Sequence, residues 1–550
     1  MKNIKNIKNI NKVVVLLGLI LSFSACDEYL DEDIYSQITS ENFIDESTAD
    51  QLVVGVYSAI RGVFKSTDYK FSGTDLFTTQ LELYAVSSSN DYVGFNAPQT
   101  NGVWSGNYTV ISRANTAINR YENEVNWSSG NLGEKAYGIA QLRALRAVSF
   151  FNLVQQYGGV VLDLEEPQSI RNNYTRSTEE ETFTLIISEL EASIPDLKED
   201  PETGRFSKRA AQHVLAEVYL TRAYTSFGES SDFQTAANLA EEAIDGYDIR
   251  SQSFAEVFAY DNQVNDEILF AGQWGDTGFS EDRGNDKHAF IMYQIFNLPG
   301  VSRKNPYGLK TSNTMLTPYF YSLFEDNDTR EDVTIHRAII ADEESGLGND
   351  VIKPGDTLVY YPKYALGEAE LKDRLDRYWV YQPDQYLFGR PADVDGVNYK
   401  YSLNPEFISF PILKKFDDEI FEEGGSGARD SFIYRIAETH LIASEAHLGA
   451  GNTSQALFHL NRVRERATGV ANHYSTIDLD EILVERALEL IGEGNRWAVL
   501  KRMGKLEERL KYNPHYVDHG TFDSSKHLLR PIPIKEIEIS PETMTQNPNY

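Results

Sequence analysis

From Glu134 to Tyr157 the chain reads as one long helix whose apolar residues are not confined to a single face. Tyr137, Ala140, Ala144, Ala147, Phe151 and Val154 recur at the alternating spacing of an α-helix, while Leu142, Leu145 and Leu153 cover a second stripe. A helix that is apolar on two sides must be enclosed by others, so the surrounding fold is layered and mainly helical. Gly158-Gly159 ends it, because glycine accepts the positive φ common at helix C-termini.

The next helices come in pairs. Ser207 is a good N-cap for a helix bearing Ala211, Val214, Leu215, Val218 and Tyr219, and Phe233, Ala237, Ala240 and Ile244 mark its partner. Near the C-terminus Ala437, Leu441, Ser444 and Leu448 form one stripe. Gly449-Ala450-Gly451-Asn452 makes a tight connection, and Thr453 caps a helix with Ala456, Leu457, Leu460 and Val463. Small residues at crossings allow close approach, and short-looped pairs are the mark of tetratricopeptide-like repeats, here degenerate and far apart. Ordinary antiparallel packing gives the same periodicity. Between about 251 and 430 Gly, Pro, Asn, Asp and aromatics dominate, with short alternating runs such as Glu267-Ile268-Leu269-Phe270; this part is expected to be loop-rich with a few short strands. Long irregular stretches inside a compact protein are usually functional.

The N-terminus has a different character. Lys2, Lys5, Lys8 and Lys12 precede an apolar run from Val13 to Phe23 and the small residues Ser24 and Ala25, which is the layout of a secretory signal, too short to span a bilayer. Leu21-Ser22-Phe23-Ser24-Ala25-Cys26 resembles a bacterial lipobox, in which the thiol of Cys26 is acylated (palmitate included) and becomes the first mature residue. Ser22 and Ser24 also satisfy the rule for plain secretion, which would leave Cys26 a free thiol. It is the only cysteine in the 550 residues, so no internal disulfide and no thiolate-rich metal site can form. Residues 27–50 carry nine acids and no Lys or Arg, a solvated tether in composition. Beside Cys26, Asp27-Glu28 and Asp31-Glu32-Asp33 resemble the acidic address that sends some lipoproteins to the outer face of the outer membrane. The expected organisation is a signal peptide (1–25), an acidic tether (26–50), a helical part (51–250), a loop-rich variable part (251–430) and a C-terminal helical part (431–550). A formal charge of -32 repels phosphate backbones and excludes nucleic acid as a partner.

Catalytic patterns each fail on a particular residue. Gly424-Gly425-Ser426-Gly427-Ala428 lacks the last glycine of a nucleophile elbow, Gly492-Glu493-Gly494 lacks the third glycine of a dinucleotide loop, and no P-loop is present. His440 and His447 are seven apart, where metal sites on a helix favour three or four, and read as packing or surface residues. Asp326-Asn327-Asp328 begins like a calcium loop but has Glu331 in place of the turn glycine. Paired carboxylates occur by chance among 83 acids. The expectation is a protein that is not an enzyme and has no cofactor and no metal.

Several blocks, in order along nearly the whole mature chain, resemble the SusD/RagB-like outer-membrane nutrient-binding lipoproteins. These are Cys26-Asp27-Glu28-Tyr29-Leu30-Asp31; Trp104, Tyr108, Ile111, Ala114, Asn115 and Ile118; Arg143-Ala144-Leu145-Arg146-Ala147 leading to Gln156-Tyr157-Gly158-Gly159-Val160; the helix pair at 207–245; and Glu485-Arg486 through Glu489-Leu490 to Gly492-Glu493-Gly494-Asn495-Arg496-Trp497, with Leu500 and Arg502. The end, Pro531-Ile532-Pro533, Glu536-Ile537 and Gln546-Asn547-Pro548-Asn549-Tyr550, resembles the family's terminal signature. Ala498-Val499 departs from it where the family often has an acid. The resemblance implies a mainly α fold of four tetratricopeptide-like pairs, an α-α superhelix with a loop-rich, minor-β ligand-binding portion. It implies a lipid-anchored, surface-exposed lid on a SusC-like TonB-dependent transporter that captures glycans or, in RagB-like members, peptides. A lipid-anchored glycoside hydrolase is the rival reading. Glu485, Arg486, Glu489, Glu493 and Arg496, three or four apart in one expected helix, suit a charge-paired structural network. Ligand contacts are expected from loop aromatics and amides, namely Asn90, Asp91, Tyr92, Trp274, Tyr293 and Tyr307, since flat rings with polar tips stack on sugars.

Overall fold

A computed structural model of the protein describes residues 45–65, 68–79, 92–93, 98–167, 169, 171–275, 284–285, 287–289, 291, 295–302, 314–347, 350–386, 410–418 and 427–550. Cys26 and most of the acidic tether lie outside them.

The chain opens with α1 (Asp50–Lys65), whose buried Val53, Val56, Ile60, Val63 and Phe64 follow the helical period. It continues through α2 (Pro98–Asn123), α3 (Leu132–Tyr157), α4 (Glu179–Ser193), α5 (Lys208–Ala223) and α6 (Asp232–Ile244). The long apolar helix is α3; it is enclosed on all sides over its second half, and Gly158 closes it at φ 70 while its N–H reaches Val154 O. Ser207 caps α5 by accepting the Ala210 N–H at 3.0 Å, and Thr178 with Glu181 forms a capping box at the start of α4. Near the C-terminus come α7 (Ile436–Gly449), α8 (Thr453–Thr468), α9 (Leu479–Leu490) and α10 (Arg496–Arg502).

Each helix packs on its predecessor from α1 to α6, and the array then resumes with α7 against α6, although some 190 residues separate the two in sequence. The predicted pairs α5/α6 and α7/α8 are therefore direct neighbours. The loop-rich segment is an insertion into a continuous helical array. Its strands are short: β1 (Phe77–Thr79), β2 (Ile268–Gly272), β3 (Thr314–Leu316), β4 (Ile335–His336), β5 (Ala338–Ile340), β6 (Ser345–Leu347), β7 (Asp350–Ile352), β8 (Thr357–Tyr360), β9 (Trp379–Val380), β10 (Ile412–Leu413) and β11 (Ser431–Arg435). They form two- and three-stranded ribbons: β1 with β3, β10 with β4, β11 with β2, β6 with β7, and β5-β8-β9.

Three main cores follow from this layout. The first fills the array with α1 to α6 but is completed by Ile436, Ile442, Ala446, Ile532 and Met544 from the C-terminal part. The second belongs to the insertion, is rich in Phe and Tyr, and reaches Ala487, Leu488 and Ile491 of the helical part. The third joins α7 to α10 around Trp497. No described helix is long and apolar enough to cross a membrane.

Candidate ligand-binding surface and the ion network behind it

The insertion is fixed to the array by buried charge. Five cations, Arg330, Arg435, Arg464, Arg466 and Lys415, face five carboxylates, Asp328, Glu267, Glu485, Glu489 and Glu493, and every one of these side chains is at most 4% exposed. Arg330, Asp328, Lys415 and Arg435 come from the insertion and its last strand, Glu485 and Glu489 from α9, Arg464 and Arg466 from α8. Arg330 donates to Glu485 at 2.6 Å and to Glu489 at 3.2 Å; Arg435 grips Glu493 at 2.6 and 2.9 Å. The charges balance, and each is hydrogen-bonded, which is the condition under which a buried ion cluster is tolerated. Burial pushes the Glu489 carboxyl up, but Arg466, Arg435, Arg330 and Lys415 together overcome it and hold it far below the usual carboxylate range. Lys415, under the opposite pressure of burial and only partly supported by Glu493, falls to about 8.

This arrangement corrects the sequence reading in one respect. Glu485, Arg486, Glu489, Glu493 and Arg496 do not lie on one helix: α9 stops at Leu490, Gly492 turns at φ 76 with a Phe416 ring carbon 2.4 Å from where a Cβ would stand, and Arg496 opens α10. Their partners lie elsewhere in the chain. Arg486 donates to Glu438 on α7 at 2.7 Å, and Arg496 makes a bidentate pair with Asp75 at 2.9 and 2.6 Å. Asp328, the last residue of the calcium-like run Asp326-Asn327-Asp328 that already fails at Glu331, is taken by Arg330.

Arg496 and Asp75 sit at the base of the β1–β3 ribbon. Asn513 donates to Thr74 O and Phe77 O at 3.1 and 2.9 Å, and Thr317 closes the other strand onto Asp75 O. Thr79 pairs with Thr314 at the ribbon's far end. The segments beginning at 80 and ending at 313, which carry Asn90, Asp91 and Tyr307, therefore leave and enter the frame at one place; those three residues and Tyr293 lie outside the described residues. Tyr92 does not fit the role expected for it. It is 1% exposed, its hydroxyl donates to Gly73 O at 2.7 Å and accepts from Trp497 Nε1 at 3.2 Å, and Phe522 meets its ring edge-on. A phenol so enclosed cannot stack on a ligand; it pins the chain where that segment returns. The polar run Asn90-Asp91 before it conceals this, because nothing local marks the tyrosine as core.

Trp274 follows β2 and is 9% exposed. The Arg61 guanidinium lies 4.3 Å from its ring centroid, Gly284 packs so closely that a Cβ there would stand 2.1 Å from the six-membered ring, and its Nε1 has no hydrogen-bond partner among the described residues. It is thus an enclosed indole with an unmet donor, where an open platform was expected. Asp430 accepts the Trp274 backbone N–H at 2.9 Å and its own N–H reaches Gln263 at 2.6 Å. Burial raises the Asp430 carboxyl to about 6 against the Trp274 hydrogen bond and the Arg429 charge. Asp430, Gln263, Gln273 and Arg209 line a cleft of 420 Å³ beside this corner. A second cleft, of 540 Å³, lies on the helical array with Trp104, Tyr108 and Tyr174 among Asp163, Glu165 and Arg113. The first is polar and adjoins the insertion; the second combines aromatic faces with carboxylates.

Comparisons with known proteins agree with this architecture. The family model described as the SusD family matches residues 266–550, and one described as "Starch-binding associating with outer membrane" matches residues 28–220. A SusD-like protein of Bacteroides ovatus is 25% identical over 516 residues, 88% of this chain and 81% of that one. Among solved structures, a laminarin-binding SusD-like protein superposes with a TM-score of 0.64 at 22% identity over 92% of this chain and 100% of the other. A SusD homolog from Bacteroides thetaiotaomicron does so with 0.69 at 19% over 93% and 99%. With one family model covering the insertion and the C-terminal helices, and the same helical array shared along almost the full length, the chain belongs to the SusD family.

Proposed function

We propose that this protein is a surface-exposed outer-membrane lipoprotein, tethered through Cys26, that captures oligo- or polysaccharide without cleaving it and passes it to a SusC-like TonB-dependent transporter. Membership of the SusD family carries the reading; the lipobox-like N-terminus and acidic tether support the location, and the laminarin-binding relative supports a glycan as ligand. The loops leaving the β1–β3 ribbon, with Asn90, Asp91 and Tyr307, and the nearby-numbered Tyr293 are the proposed contact surface, and the helical array is the proposed transporter face. Affinity electrophoresis of the purified protein against a panel that includes laminarin and starch tests the binding. Retardation by at least one polysaccharide, weakened by Tyr307→Ala with unchanged circular dichroism, is expected. No retardation by any glycan refutes it, and release of shorter oligosaccharides would replace the binder with a hydrolase.

A further inference from the structure

His447 on α7, His459 on α8 and Glu241 on α6 converge at the crossing of the two helix pairs, each offering one ligand atom, all within 4.8 Å of one another. His447 Nε2 stands 2.9 Å and His459 Nε2 3.7 Å from the same Glu241 oxygen. Ligands of a tetrahedral zinc ion, at ~2.0–2.1 Å from the metal, stand ~3.3 Å apart, midway between those two separations. Both imidazole side chains are about 5% exposed or less, while Glu241 is 45% exposed, so the trio has a buried back and an open front.

An independent observation concerns the second histidine. At 3.7 Å the contact to Glu241 is too long for a hydrogen bond, and His459 Nε2, buried and aimed at the carboxylate, has no partner among the described residues. Its other nitrogen, Nδ1, lies 3.0 Å from His440 Nδ1. When His459 donates through Nδ1 to His440, its Nε2 presents a lone pair toward Glu241, and His440 acts as the supporting partner that metal-bound imidazoles ordinarily have. His447 and His459 reach Glu241 from adjacent helices, their ring centroids 5.6 Å apart.

We propose that Glu241, His447 and His459 form a site for a divalent transition ion, zinc by its ligand set, with water completing the coordination and His440 as the supporting residue. Two imidazoles and one carboxylate suit zinc and disfavour calcium and magnesium, which take oxygen ligands. The three ligands come from helices on both sides of the insertion, so the ion is a clamp that closes the array where the sequence is interrupted. The spacing of His440 and His447 on α7 does not reveal it, because the set is assembled across helices.

The test uses untagged purified protein stripped with a chelator. Calorimetric titration with Zn2+ should give one saturable site absent with Ca2+, Co2+ should give the visible absorption of a four-coordinate ion, and Zn2+ should raise the melting temperature. Glu241→Gln, at a half-exposed position, and His459→Ala should each weaken Zn2+ binding by more than the roughly 10- to 100-fold that loss of a supporting residue causes, and should abolish the thermal shift; the exposed His519→Ala should do neither. Absence of a saturable site, or Zn2+ binding of equal strength in wild type and Glu241→Gln, overturns the proposal even if His459→Ala fails to fold.

Discussion

Replacing Glu489 by Gln tests the ion network with almost no change of shape. The carboxylate lies among Arg330 at 3.2 Å, Arg435 at 3.1 Å and Arg466, and its side chain is fully buried. Glutamine keeps an acceptor but removes the charge, leaving five cations against four carboxylates and turning an amide N–H2 toward guanidinium groups. Breaking one partner of a buried pair costs about 3–5 kcal/mol, because an uncompensated charge remains out of water. With a urea m-value at or above ~3 kcal/mol/M for a chain of this size, the unfolding midpoint should fall by about 1 M. Glu368→Gln, which removes an exposed pair with Lys372 at 2.9 Å, should leave the midpoint almost unchanged and serves as the comparison. The pH dependence supplies a second reading of the same group. Because the folded pKa of Glu489 is depressed, its contribution is present above the unfolded value near 4.5 and is lost as pH falls below it; the slope of stability against pH in that acid range should flatten in the variant. A midpoint shift no larger than that of Glu368→Gln, or an unchanged acid slope, would refute the claim that these charges hold the insertion in place.

Three further outcomes follow from single contacts. Asp430 has a raised pKa of about 6, so folding is penalised by its ionisation and stability should fall as pH rises from about 4 to 6; Asp430→Asn, which can still accept the Trp274 N–H, should remove that loss in thermal melts at pH 5 and 7. Tyr92→Phe removes the core hydrogen bonds to Gly73 O and from Trp497 Nε1 and should cost ~1–3 kcal/mol by urea denaturation. Gly449→Ala places a methyl 2.3 Å from the Phe233 ring at the α6–α7 crossing and should cost ~1–3 kcal/mol in the same assay, with Ala450→Gly as a milder comparison.

The helices were legible because their burial follows a period: α3, the Ser207 cap and both helix pairs stand where the apolar spacing puts them. What could not be read is anything settled by partners distant in sequence. The stacking of α6 on α7 joins residues on either side of the insertion, and no periodicity within α6 names α7 as its neighbour. The charges of α9 looked like pairs within one helix, since three- and four-residue spacings are the only pairing a sequence displays; in the structure they meet Arg330, Arg435 and Arg466 instead. Tyr92 and Trp274 are expected at the ligand surface as aromatics in loop segments, yet each ring is enclosed by side chains from remote segments.

The position of the charge network has a consequence for how the proposed ligand surface can vary. Ribbons of two or three short strands are weak on their own, and those of the insertion carry little array of their own beyond the aromatic core. Their orientation is set at a few points, Arg330 and Arg435 on α9, Asp75 on Arg496, Tyr92 on Trp497. Directional contacts of this kind, bidentate between Arg496 and Asp75, fix angle as well as distance. The loops between these points can therefore change length and sequence at little cost to the frame, since loop-closure entropy grows only slowly with length, while a change at any one of the fixed points moves a whole ribbon. On the proposed reading, residues that select the ligand lie in the segments that leave the frame, while those that hold the ribbons in place lie in α9, in α10 and at the base of β1.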